Sequence, residues 1–315
     1  PFVYLKALQK GIEPCDYFEN DSMVYEEFDN WSPANADRKF GGVYSMQGAL
    51  VNSINTVTVK LLMEAEIQPT RRLARELGFR GSLPEEPSLA LGTANSSVIN
   101  LAEIYTTFTN KGSPITSRKI VRIENNEGKT LQEFHSQKPT ERIVSKKHTE
   151  QLVMMLENVV ERGTAKSINN FSYNGDLAGK TGTTQNHSDG WFIGLTPNLV
   201  TASWVGAEYP QIHFQNIKQG QGAATALPIA GYFLQGLSDT KISENYAGSF
   251  EYSSIDLSSY NCEDYREKPP GLLEKLFNIK LFKKEDSSPK KKEKDEEDKQ
   301  GFFKRILKKL KKDNN

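Results

Sequence analysis

The 315-residue chain is 37% hydrophobic and 25% charged, proportions that exclude a collagenous or wholly low-complexity protein and leave room for one large domain or two small ones. Its formal net charge of zero is a cancellation, because residues 281–315 hold 13 Lys/Arg against 8 Asp/Glu and the body before them is correspondingly acidic. No apolar run approaches the roughly 20 residues of a membrane helix. The four histidines, at 135, 148, 187 and 213, show no metal-ligand spacing, so no metal site is expected. Cys15 and Cys262 stand in unlike contexts, and a disulfide framework is not expected from them.

Pro1 opens directly into an apolar-periodic stretch, Phe2, Val3, Leu5, Ala7 and Leu8. This reads as a chain cut inside a helix, which Gly11 then ends. Residues 12–42 are loop-rich. Residues 44–64 are helical by period, with a polar interruption at Asn52-Ser53-Ile54-Asn55. Residues 70–77 form another helix, closed by Gly78. Ser97 caps a helix reaching residue 110.

Residues 119–124 and 129–134 flank Asn125-Asn126-Glu127-Gly128 and predict a β-hairpin. Residues 145–162 form a strong amphipathic helix with Gly163 beyond its end. Three strands follow, at 177–184, 191–195 and 199–206, and residues 223–237 form the last helix of the body. Short turns between strands imply antiparallel pairing, hence an α+β fold. Residues 283–300 are nearly all charged and predict disorder. In residues 301–312, Phe302, Phe303, Ile306, Leu307 and Leu310 oppose six Lys/Arg residues, as in a basic amphipathic helix.

Lys180-Thr181-Gly182-Thr183-Thr184 carries the most chemistry. A lysine, hydroxyls and a glycine on a strand edge can hold a carboxylate beside a reacting carbonyl. A phosphate loop is the competing reading of Gly179-Lys180-Thr181. It fails on spacing, since Asn174 stands where the first glycine belongs, and on context, since a turn and a strand follow instead of a helix. Ser53-x-Asn55 alone is more ordinarily a helix cap or a local kink.

Together these segments resemble the penicillin-binding transpeptidases. Ala49-Leu50-Val51-Asn52-Ser53-Ile54-Asn55 resembles their A-L-x-x-S-x-N signature, and Lys180-Thr181-Gly182-Thr183 their K-T-G-T motif. Asp189-Gly190-Trp191-Phe192-Ile193-Gly194, Ser203-Trp204-Val205-Gly206, Gly163-Thr164-Ala165 and Ala226-Leu227-Pro228-Ile229 fit in the same order. The resemblance covers roughly residues 1–240 and is closest to the bifunctional class A branch.

The resemblance implies a penicillin-binding, serine β-lactamase-like transpeptidase fold, an antiparallel sheet flanked by helices, N-terminally truncated here. Residues 241–280 would be a C-terminal extension, and 281–315 a charged tail. The nucleophile motif S-x-x-K is expected immediately before Pro1. The three S-x-x-K strings present, beginning at Ser238, Ser287 and Ser288, all follow K-T-G and are rejected. Ser53, Asn55 and Lys180 would be catalytic. Thr181, Gly182, Thr183 and Thr184 would bind substrate. The implied reaction is D-Ala-D-Ala transpeptidation of peptidoglycan stem peptides through a serine acyl-enzyme, with an acceptor amine completing it and β-lactams acylating the same serine.

No cofactor and no nucleic-acid partner is implied. A DD-carboxypeptidase or β-lactamase, or a non-catalytic β-lactam sensor, shares the motifs. The family further implies an upstream membrane anchor and glycosyltransferase domain, and a location on the outer face of the bacterial cell membrane. The basic tail is a second candidate for membrane contact. With two strands of the family sheet absent, the chain alone is expected to be poorly folded and not to be labelled by a fluorescent penicillin.

Overall fold

Chain order explains most of the helical scaffold. A computed structural model describes residues 1–135 and 141–268. Helix α1 (Phe2–Gln9) buries Val3, Tyr4, Leu5, Ala7 and Leu8 and turns off at Gly11, whose φ of +91° suits a residue without a Cβ. Strand β1 (Tyr17–Glu19), within the segment expected to be loop, pairs antiparallel with strand β2 (Val43–Ser45), whose Tyr44 and Ser45 were expected to begin a helix. That expectation missed them because a three-residue strand shows no usable alternation.

The helix expected over 44–64 is two helices. Helix α2 (Met46–Asn52) ends at Ser53, and α3 (Asn55–Ala65) starts two residues later. Helix α4 (Ile67–Glu76) begins earlier than expected, with Pro69 tolerated in its first turn. Helix α5 (Val98–Thr109) carries the anticipated cap, Ser97 accepting from the Asn100 N–H at 3.2 Å. The hairpin is shorter than expected, β3 (Arg122–Glu124) with β4 (Thr130–Glu133), and its register shifts between Ile123 and Glu124.

Helix α6 (Lys146–Glu161) is the central core element, with Leu152, Met155, Leu156 and Val159 fully buried. Strands β5 (Ala178–Thr183), β6 (Asp189–Leu195) and β7 (Val200–Gly206) form an antiparallel sheet in that order. Phe192, Ile193 and Leu195 are all buried although successive side chains point to opposite faces, so both faces are covered. Helices α5 and α6 do this together with α8. Between sheet and last helix lies α7 (Ile217–Gly220), and α8 (Ala226–Ser238) starts three residues later than periodicity suggested. Its outer residues Ile229, Tyr232 and Phe233 stay exposed. The outer edges of β5 and β7 have no strand partner among the described residues.

After α8 the chain returns to the body. Strand β8 (Tyr265–Arg266) pairs with β2, completing a small sheet β1-β2-β8. Cys15 and Cys262 are disulfide-bonded, which corrects the expectation of unpaired cysteines. The pairing joins residues 247 apart, so local sequence context held no sign of it. No helix of the described residues is long and apolar enough to cross a membrane. The amphipathic segment 301–312 and the S-x-x-K strings at Ser287 and Ser288 lie outside the described residues. Ser238 ends α8 with its hydroxyl on the Leu234 carbonyl at 3.1 Å.

Candidate active site

Ser53 sits where α2 stops. Its φ of 56° and ψ of 49° are left-handed, a conformation that costs a residue with a Cβ on the order of 1–2 kcal/mol. Glycine is the usual solution at such a helix end. Seven other non-glycine residues among the described ones share a positive φ, so what distinguishes Ser53 is the partner of its side chain. The Ser53 hydroxyl accepts from the Lys180 Nζ at 3.1 Å. Lys180 comes from β5, 127 residues later.

Strand β5 is an open edge, and the hydrogen-bond parity shows which groups it presents. Thr184 donates its N–H to the Asp189 carbonyl at 3.1 Å, continuing the ladder with β6. Alternation then turns the N–H and C=O of Thr181 and Thr183 away from β6, toward the open edge. The Thr181 carbonyl accepts from Lys180 Nζ at 2.9 Å, in agreement. Lys180 therefore folds over the edge and links it to Ser53. Burial strips water from the ammonium and pulls its pKa down to about 8.

The remaining expected residues divide. The Thr181 hydroxyl donates to the Thr164 hydroxyl at 2.9 Å. The Thr183 hydroxyl accepts from the Gly222 N–H at 3.1 Å, which leaves its own hydrogen free to donate. Gly182 lies between them, and the segment after β7 crosses close by. A Cβ on Gly222 would stand 2.4 Å from the Gly182 carbonyl oxygen, so only glycine lets that segment approach. Thr184 belongs to the β5–β6 turn, its hydroxyl held by Ser188 at 2.9 Å and by the Asp189 carboxylate at 3.1 Å. Asn55 opens α3 and donates its amide to the Ala34 carbonyl at 2.8 Å. Its amide oxygen has no partner among the described residues.

Thr164 is the residue whose role motif reading did not define. It was legible only as the middle of Gly163-Thr164-Ala165. Its N–H donates to the Val51 carbonyl at 3.1 Å, so it touches both the α2 end that carries Ser53 and the strand that carries Lys180. No cluster of His, Cys, Asp and Glu suited to a metal occurs among the described residues.

Residues 1–230 match the family model described as the penicillin binding protein transpeptidase domain. Among curated relatives, the penicillin-binding protein 1A of Neisseria lactamica is 30% identical over 238 residues, covering 73% of this chain and 29% of that protein. The chain therefore spans less than a third of that relative's length. The crystal structure of penicillin-binding protein 1A from Haemophilus influenzae superposes with a TM-score of 0.70 at 24% identity, over 76% of this chain and 41% of that one. PonA1 of Mycobacterium tuberculosis in complex with penicillin V gives a TM-score of 0.66 at 22% identity, over 85% of this chain and 73% of that one.

Proposed function

Since this chain belongs to the penicillin-binding protein transpeptidase family, we propose that its intact protein cross-links peptidoglycan by D-Ala-D-Ala transpeptidation and is acylated by β-lactams. The observation that carries this reading is Lys180, whose Nζ meets both Ser53 and the open-edge carbonyl of Thr181. The donor peptide lies along β5 as an added strand, which the absence of a side chain at Gly182 permits. Its terminal carboxylate is held by Lys180 and by the Thr183 hydroxyl. The Thr181 hydroxyl joins once it exchanges Thr164 for the ligand.

The nucleophilic serine and its lysine base belong to an S-x-x-K motif directly before Pro1, as the family pattern implies. The Lys180 charge helps keep that base neutral. The serine attacks the penultimate carbonyl, and the Thr183 N–H, on the open edge, receives the oxyanion; one such donor contributes about 10²–10³ in rate. Ser53 passes a proton to the departing D-alanine amine. Asn55 offers its amide oxygen to the donor peptide. An amine from a second stem peptide then resolves the acyl-enzyme.

Residues 1–240 are the later part of this catalytic domain, 241–280 an extension and 281–315 a charged tail. An upstream anchor holds the domain on the outer face of the membrane, beside a glycosyltransferase domain. The test is covalent labelling with a fluorescent penicillin. The intact protein is expected to be labelled at the serine of S-x-x-K, and residues 1–315 alone not at all. Labelling of the 1–315 chain, or an intact protein without S-x-x-K before Pro1, would overturn the proposal.

A further inference from the structure

Resting on that reading of the site, we infer that Asp264 and Arg162 are positioning residues for Ser53, holding it against Lys180 through both ends of α2. Helix α2 has seven residues, and Met46 through Val51 are all buried. A rod that short and that enclosed moves as one piece, so the place of Ser53 follows from where the ends of α2 are held.

One contact network holds both ends. At the start, the Asp264 carbonyl accepts from the Ser45 N–H at 3.1 Å. Gly48 lies directly on the Asp264 backbone, where a Cβ would stand 2.1 Å from the same carbonyl oxygen. At the far end, the Val51 carbonyl accepts from the Thr164 N–H at 3.1 Å, and a Cβ on Gly163 would stand 2.4 Å from that oxygen. Arg162, immediately before Gly163, joins the two ends. Its Nε and Nη2 donate to the Asp264 carboxylate at 2.9 and 3.0 Å. Such a two-pronged pair fixes direction as well as distance. Arg162 also donates to the Asn158 side chain, and Asn158 donates to Gln47, inside α2, at 3.0 Å. Glu161 offers Arg162 only a longer contact, at 3.4 Å.

Asp264 is itself anchored on both sides. The Cys15–Cys262 disulfide lies two residues before it, and Tyr265 pairs with Tyr44 immediately after it. Lys180, by contrast, is held by the full β5–β6 ladder. Loss of the Arg162–Asp264 pair therefore displaces Ser53 and leaves the carboxylate-binding edge in place. The chemical step should suffer and ligand binding should not.

The experiment is acylation of the intact protein by a chromogenic β-lactam, separating the limiting acylation rate from the dissociation constant. For Asp264→Ala the limiting rate is expected to fall about ten- to hundred-fold, the scale of a reacting group displaced by about 1 Å. The dissociation constant should stay within about two-fold. Arg162→Lys keeps the charge, loses the fork and should fall between wild type and Asp264→Ala; it also serves if Asp264→Ala does not fold. The charge-exchanged pair Arg162→Asp with Asp264→Arg should recover part of the rate. Arg266→Ala, which removes an exposed ion pair with Glu263 and a cation–π contact with Tyr17 but keeps the β8 backbone pairing and the Arg162–Asp264 fork, should leave the rate unchanged. A wild-type limiting rate in Asp264→Ala and Arg162→Lys would overturn the inference. So would an equal loss in Arg266→Ala, or a change confined to the dissociation constant. An intact wild-type protein that no β-lactam acylates would instead overturn the reading of the site itself.

Discussion

Lys180 and Ser53 show how much a single contact adds to two motifs. Each motif is legible alone, yet Ser53 in a helical stretch is more ordinarily a cap. It does cap the end of α2, in a left-handed conformation, and its hydrogen bond to Lys180 is what goes beyond that ordinary reading. Desolvation lowers Lys180 to about 8, and the sign of the consequence follows. Below that pH the ammonium persists, and in the proposed mechanism it serves both the substrate carboxylate and the neighbouring base. Above it the charge is lost. We expect the acylation rate of the intact protein to decline on an alkaline limb centred near pH 8. Lys180→Arg, whose guanidinium keeps its charge throughout, should be slower but level across that limb. A limb unchanged in Lys180→Arg would assign it to another group. Thr184 differs from the other expected residues in its setting: it stands in the motif, and its hydroxyl closes the β5–β6 turn with Ser188 and Asp189.

At the scale of elements, the site is an intersection of α2, the end of α6 and β5. The α6–α2 approach depends on Gly163, because any Cβ there would enter the Val51 carbonyl. Gly163→Ala should destabilise the domain by about 1–3 kcal/mol, the cost of forced overpacking. A chemical unfolding midpoint that does not move would show that the helices can separate without penalty. Long periodic helices were readable from residues because period and cap agree, as at Ser97 and Ser145, whose hydroxyls accept from the N–H three residues on. The break at Ser53 falls at the expected polar interruption, but the three-residue strands β1 and β2 and the four-residue α7 were not readable. Elements that short are stabilised by what they pack against, not by local propensity.

On the scale of the whole molecule, residues 241–268 are bound to the body at many points. The Tyr246 carbonyl accepts from Tyr173 at 2.7 Å, the Phe250 N–H donates to Asp176 at 2.9 Å, and the Ser254 N–H donates to Glu150 at 2.7 Å. Tyr252 hydrogen-bonds Glu157, whose carboxyl is raised to about 7, chiefly by burial. The Cys15–Cys262 bond closes this wrap. Its reduction, or Cys15→Ser with Cys262→Ser, should cost roughly 2–5 kcal/mol, as for a long covalent loop, read as a lower unfolding transition of the domain in the intact protein. An unchanged transition would mean that the polar contacts hold the segment unaided.

Residue order alone determined the α+β class, the long helices, the three-stranded run around Lys180 and the family, because period, caps, turns and fixed motif spacing are local properties of a chain. It also placed Ser53 and Lys180 in separate motifs. Only the tertiary structure decided that their side chains meet, that Thr164 joins their two elements, and that Cys15 finds Cys262. Those contacts join residues from 17 to 247 positions apart. Pairing at such distances is set by the packing of α2, α6 and the sheet around one core, which no local pattern encodes.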